Sequence, residues 1–111
     1  MKQVVSASLI GAAVFVFQMN VGMAADEFSL SIKDHKFTPD EITIPANTKV
    51  KLVVKNLDPT PEEFESEQLH REKVIQGNSQ AIIYIGPLDA GSYPFIGEFH
   101  SDTAKGRIIV K

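Results

Sequence analysis

The sequence predicts an all-β sandwich or barrel, and two features carry that expectation. Short apolar alternations recur along the chain, separated by Pro, Gly, Asn and Asp. After residue 24, no stretch sustains an apolar stripe with the 3.6-residue period of a helix. Several short strands spaced in this way bury one face each by closing against one another.

Lys2, an apolar run from Val4 to Phe17 and the small residues of "NVGMAADEF" form the pattern of a cleaved secretory signal, with the cut expected after Ala24 and Ala25 as the near alternative. The run is too short for a comfortable membrane span. The expected organisation is a signal peptide over 1–24 and one exported domain over 25–111, with no membrane-integral segment after cleavage. Strands are expected near "EFSLSIKDHKF", "EITIPA", "KVKLVVKN", "EEFES", "KVI", "QAIIYIG", "SYPFIG" and "GRIIVK". Turns are expected at "PANT", "QGNS" and "LDAG". The stretch "SEQLHREK" has helix-tolerant residues and is expected to form a short helix or an irregular excursion. Ile42 and Ile44 alternate inward, as do Val50, Leu52 and Val54, on strands of opposing sheets. Tyr93 and Phe95 are expected in the core.

Composition narrows the function. Once Lys2 leaves with the signal, ten Lys/Arg stand against fourteen Asp/Glu, with no basic cluster to attract a phosphate backbone, so nucleic acid is not an expected partner. The chain has no cysteine, and Met1, Met19 and Met23 all precede the expected cut, so the domain contains no sulfur. Its stability must come from packing or from a bound ligand, not from disulfides. Nothing in the chain resembles a nucleophile elbow or a phosphate loop, so hydrolysis is not indicated.

Carboxylates gather around one histidine instead. His100 lies in "GEFHSDTAKG" with Glu98 two residues before it and Asp102 two after, and Glu62, Glu63, Glu65 and Glu67 crowd one short strand. Strand alternation puts Glu62 on the inward face with Phe64, and Glu63 and Glu65 on the other face. Glu98 is expected to ligate or to accept the imidazole N–H. The candidate metal ligands are therefore His100, Glu62, Glu98, Glu65 and Glu63. Imidazole with carboxylate suits iron, Cu(II), Mn(II) or Zn(II). His35 and His70 are near enough in pattern to approach the same end, but each reads more simply as a surface histidine.

Two longer stretches resemble a known family. "HKFTPDEITIPANTKVKLVVKN", through Phe37, Pro39, Ile42, Ile44, Pro45, Thr48, Val50 and Asn56, is similar to the opening of a cupredoxin-like domain. "GNSQAIIYIGPLDAGSYPFIGEFHSDTAKGRIIV" resembles the last third of small blue-copper proteins. The resemblance implies a cupredoxin-like Greek-key β-sandwich. It also implies a metal site built from a His after the Asn-ending strand and a Cys, a His and often a Met from the last loop. Matched position by position, these fall at Glu62, Gly97, His100 and near Ala104, so only His100 is kept. Without a thiolate no type 1 blue copper site is expected, and iron or Cu(II) becomes the expected ion.

"EFES" with Leu69 and "EKVI", together with "GEFH" and "TAKG", further resembles the EfeO-type cupredoxin domains of bacterial ferrous-iron uptake systems and their stand-alone periplasmic relatives. That resemblance implies a periplasmic protein that binds or oxidises Fe(II) beside an inner-membrane iron permease and a periplasmic iron-binding protein. Gly97 departs from those relatives, which often keep a Cys in the loop. The alternative reading is a metal-free or copper-binding adaptor or electron-transfer module on the same fold.

Overall fold

The computed structural model describes residues 26–111. The expected signal over 1–24 lies outside them. Nine strands form among the described residues: β1 Asp26–Lys33, β2 Lys36–Thr38, β3 Glu41–Ile44, β4 Val50–Asn56, β5 Glu62–Ser66, β6 Arg71–Ile75, β7 Ser79–Ile85, β8 Gly91–Gly97 and β9 Lys105–Val110. No helix among the described residues is long and apolar enough to cross a membrane.

The strands divide into two sheets, one in the order β3-β9-β8-β5-β6 and the other β2-β1-β4-β7. Most neighbours are antiparallel. β1 runs parallel to β4 with Leu30 opposite Val54, and β9 runs parallel to β3 with Ile108 opposite Ile42. Parallel neighbours cannot be joined by a hairpin, so the chain crosses between sheets, as expected for two twisted layers sharing one core.

Period-2 alternation fills that core. Leu30 and Ile32 of β1, Leu52 and Val54 of β4, and Ile83 and Ile85 of β7 face Ile44, Phe64, Ile75, Phe95, Ile108 and Val110 of the other sheet, all buried. Each such side chain contributes about 1.5–3 kcal/mol by leaving water. Phe37, Phe64 and Phe95 form one aromatic cluster. Phe37 meets Phe95 edge-on at 4.9 Å and 88°, while Phe64 and Phe95 stack at 5.0 Å and 28°. Phe95 is fully buried as expected, whereas Tyr93 is only partly so and turns its hydroxyl out to donate to the Asp89 carbonyl at 2.8 Å.

Two expectations are refined. "EFSLSIKDHKF" is not one strand but a hairpin, β1 and β2, folded at Asp34 and His35 with Lys33 opposite Lys36. "SEQLHREK" forms no helix. Its first half is a turn and its second half enters edge strand β6, where Arg71 pairs with Ser66 and Glu72 with Glu65. Backbone pairing with β5 offers more than a helix too short to stabilise itself. The only helical turn among the described residues is the single 3-10 turn Glu98–His100 that follows β8.

Candidate metal centre

Three parts of the chain meet at one end of the sandwich. Glu62 opens β5, and its neighbours alternate as the pleat requires: Glu62, Phe64 and Ser66 are buried, while Glu63 and Glu65 face out. Glu62 is 1% exposed, a depth at which an ionised carboxylate must be fully partnered. It is. One oxygen, Oε1, accepts the Phe99 N–H at 2.8 Å and the Glu63 N–H at 3.0 Å. The other, Oε2, lies 2.7 Å from Nδ1 of His100. One proton lies between Oε2 and Nδ1, and an ion that replaced it would face both atoms.

The loop that carries His100 is short and tied down. Gly97 N donates to the Ala104 carbonyl at 2.8 Å, and Ala104 N returns to the His100 carbonyl at 2.8 Å. The 3-10 turn thus closes over its own base, and its tight pitch turns Phe99 N toward Glu62.

His35 is the third member. Its ring stacks on that of His100 at a centroid separation of 3.5 Å and an interplanar angle of 13°. One ligand atom from each of His35, Glu62 and His100 lies within 4.8 Å of the others. Thr103 Oγ1 donates to the His35 carbonyl at 2.7 Å and so joins the two histidine loops.

The remaining sequence candidates fall elsewhere. Glu63 and Glu65 share a second cluster with Glu72, on the outward face of the same sheet where strand alternation put them, so they do not join Glu62 among the ligands of one ion. The pleat is the cause: adjacent residues of a strand cannot point into one site. Glu98 opens the 3-10 turn but bonds to Glu65, which puts it with the outer group. His70 and Asp102 are exposed and belong to neither cluster. His35, by contrast, was offered by the sequence only as a histidine beside Phe37 and Pro39. Its signal was the two-residue spacing "KDHK" of a tight hairpin, which aims its second turn residue back over the sandwich end.

The outer cluster behaves as like charges do. Loss of water around Glu63, a hydrogen bond to Glu72 and the charges of Glu72, Glu98 and Glu62 raise its pKa above the ordinary carboxylate value. Glu65 is raised first by its hydrogen bond with Glu98, then by desolvation and the charges of Glu98, Glu72 and Glu63.

The donor set decides which ion fits. A copper-thiolate site does not: the chain has no cysteine, and a Cβ built on Gly97 would sit 2.8 Å from Cδ of Glu62 and 2.6 Å from Cβ of Ala104. The Glu62 carboxylate fills the space that a side chain at position 97 would need. Two imidazoles and one carboxylate do fit a divalent ion of borderline hardness. The positions matched to family ligands, Glu62, Gly97, His100 and Ala104, thus converge in space, with a carboxylate at the first histidine position and no sulfur among them.

Comparison with known proteins agrees with this architecture. A cupredoxin-like domain model matches residues 6–110. An uncharacterized protein of Rickettsia prowazekii (strain Madrid E) is 48% identical over 84 residues, covering 76% of this chain and 67% of that relative. Among solved structures, the metal-binding domain of the Streptococcus pneumoniae D39 Cu(I)-exporting P-type ATPase CopA superposes with a TM-score of 0.69 at 15% identity, over 77% of this chain and 84% of that one. The blue copper protein auracyanin A of Chloroflexus aurantiacus gives 0.67 at 14% identity over 79% of this chain and all (100%) of that one. Amicyanin of Paracoccus versutus gives 0.61 at 21% identity over 79% and 84%. At these identities the structural likeness speaks for the fold alone, and together with the domain match and the two packed sheets it leads to one conclusion: the chain belongs to the cupredoxin-like domain family.

Proposed function

We propose that this protein is an exported, periplasmic metal-binding protein that holds ferrous iron for an inner-membrane iron uptake system. One observation carries the proposal: Glu62, buried at 1% exposure, stands at the position matched to the family's first histidine, with His100 and His35 beside it. Such a set favours Fe(II) and similar divalent ions over Cu(I), which prefers the sulfur this domain lacks. His35, Glu62 and His100 would hold the ion. A divalent ion bound there supplies positive charge and open coordination positions. The chain's own residues do the rest: the N–H groups of Phe99 and Glu63 fix the Glu62 carboxylate, and Glu62 in turn orients the His100 ring.

The resemblance of "EFES", "EKVI", "GEFH" and "TAKG" to iron-uptake cupredoxins supports iron as the cargo and a permease and a periplasmic iron-binding protein as partners. The basic, apolar and small-residue pattern of residues 1–24 supports export. Holding the ion is better supported than oxidising it, because no thiolate-bound copper is available as an electron acceptor.

The test is an anaerobic calorimetric titration of the metal-stripped domain with Fe(II), Mn(II), Zn(II) and Cu(II). Fe(II) is expected to bind with a dissociation constant of about 1 µM or below, and Glu62→Gln and His100→Ala are each expected to weaken it about tenfold or more, roughly 1.4 kcal/mol. If none of the four ions binds, the fold serves as a metal-free adaptor. If only Cu(II) binds, the copper alternative stands.

A further inference from the structure

The hairpin that delivers His35 is conformationally expensive. Asp34 and His35 have φ of 54° and 59°, so both central residues of a two-residue β-hairpin lie in the left-handed region without being glycine. Asn-Gly or Asp-Gly is the usual solution there, and a histidine at the second position holds strained backbone that the surroundings must maintain. The surroundings that do so are identifiable. Asp58, only 5% exposed, accepts the Asp34 N–H on Oδ1 at 2.8 Å and the His35 N–H on Oδ2 at 2.9 Å. The same Oδ2 lies 3.5 Å from Nδ1 of the His35 ring.

Asp58 is itself anchored. Its N–H donates to Oδ1 of buried Asn56 at 3.1 Å, its carbonyl accepts Asn78 N–H at 2.9 Å, and Asn56 Nδ2 reaches the carbonyls of Thr60 and Ile75 at 2.8 and 3.1 Å. The brace therefore belongs to the rigid core of the sandwich and not to the hairpin it holds. The hold is on the backbone first: Asp58 bonds both N–H groups of the turn, and its charge lies 3.5 Å from Nδ1 of the ring that stacks on His100. A carboxylate beside an imidazole limits the orientations open to it as a ligand.

We propose that Asp58 is the positioning residue of the metal centre: it holds the strained Asp34–His35 turn and orients the His35 ring, and the ion affinity contributed by His35 depends on it. This rests on the metal-binding reading above. It assigns a role to a residue that has no ligand atom in the cluster, and it explains why a histidine is kept where glycine is easier.

The test uses the full domain, with Fe(II) under anaerobic conditions and Zn(II) as a redox-silent probe, in a double-mutant cycle. His35→Ala and Asp58→Asn are each expected to weaken binding about tenfold, and the double variant no further than either one alone, since Asp58 acts through His35. Without any ion, His35→Gly is expected to raise Tm while it weakens binding, because glycine relieves the turn. In wild-type protein the His35 ring protons should show the upfield shift of a stacked ring, and Asp58→Asn should abolish it. Should Asp58→Asn fail to fold, Thr103→Val removes the second tie to the His35 carbonyl and is expected to weaken binding severalfold, again only when His35 is present. Binding that His35→Ala weakens but Asp58→Asn or Thr103→Val leaves intact overturns the positioning role and spares the metal site. So does an Asp58→Asn loss of equal size with and without His35. A wild-type protein that binds neither ion overturns the metal site itself.

Discussion

Strand β5 carries acidic residues on both faces, and the two faces have opposite chemistry. Inward, Glu62 has every oxygen partnered by an N–H or an imidazole. Outward, Glu63 and Glu65 meet Glu72 and Glu98, and their pKa values rise because each carboxylate has others for company. The residues are neighbours in sequence and identical in type. What a carboxylate does here is decided by the parity of its position and by whether donors or other acceptors await it.

The largest expected effect separates the faces directly. Glu62→Ala leaves two backbone N–H groups and the His100 imidazole facing a buried void and should cost about 3 kcal/mol of stability, together with metal binding. Glu63→Ala should cost far less and leave binding near wild type. Urea denaturation and calorimetry read both quantities, and equal losses from the two substitutions would erase the distinction.

Next in size is Gly97→Ala. The new methyl meets Cδ of Glu62 and Cβ of Ala104 inside contact distance, so overpacking should destabilise by about 1–3 kcal/mol. Pairing it with Glu62→Ala should recover part of that loss, because the carboxylate is what crowds the position. Strictly additive losses in the double variant would mean that the two residues do not compete for one space.

Acid acts on these carboxylates with opposite signs. Burial alone would raise the Asp58 pKa, but N–H donors from His35 and Asp34 and the nearby charges of His35 and Lys33 bring it below its ordinary value of 3.8. A lowered folded-state pKa means stability that is present above the ordinary value and is lost as pH falls through the folded one. Glu63 and Glu65 have the reverse sign: their raised values cost stability above the carboxylate range, and the cost disappears on protonation. Glu65→Gln should therefore raise Tm slightly near neutral pH, with the gain shrinking as pH drops toward the carboxylate range. Asp58→Asn should lower Tm at neutral pH, with the loss shrinking in stronger acid. Thermal melts across pH check both signs.

The smallest effect is spectroscopic. Cu(II)-loaded protein should lack the intense blue band of a copper-thiolate bond whichever face binds it, since neither offers sulfur. An intense band would contradict the donor set.

Much of this was legible in the sequence because alternation is a local signal. The strands, the inward placement of Ile44, Leu52 and Phe64, and the opposite facing of Glu62 and Glu63 all follow from a period of two. His35 was harder to see, since it joins the cluster only through the geometry of a turn and a stack on a ring far along the chain. Asp58 was not legible at all. Its partners are backbone N–H groups of the hairpin, which carry no sequence signature. Glu98 interacts with Glu65 although it is two residues from His100, because nearness in sequence does not fix direction in a 3-10 turn of three residues per turn. The helix-tolerant "SEQLHREK" gave an irregular turn over residues 67–70 and then edge strand β6, because an available pairing partner outweighs weak propensity.

The end of the sandwich where His35, Glu62 and His100 meet also has a topological consequence. Glu62 and His100 are 38 residues apart in the chain, and the Thr103–His35 bond spans 68. An ion shared by these groups would staple the two sheets together across long loops, as a disulfide does, and closing loops of that size removes about 3–5 kcal/mol of chain entropy from the unfolded ensemble. A protein without cysteines would then take its covalent-like staple from its cargo. Loaded molecules should unfold slowly and resist proteolysis, emptied ones should turn over sooner, and the lifetime of the chain would follow the supply of metal it carries.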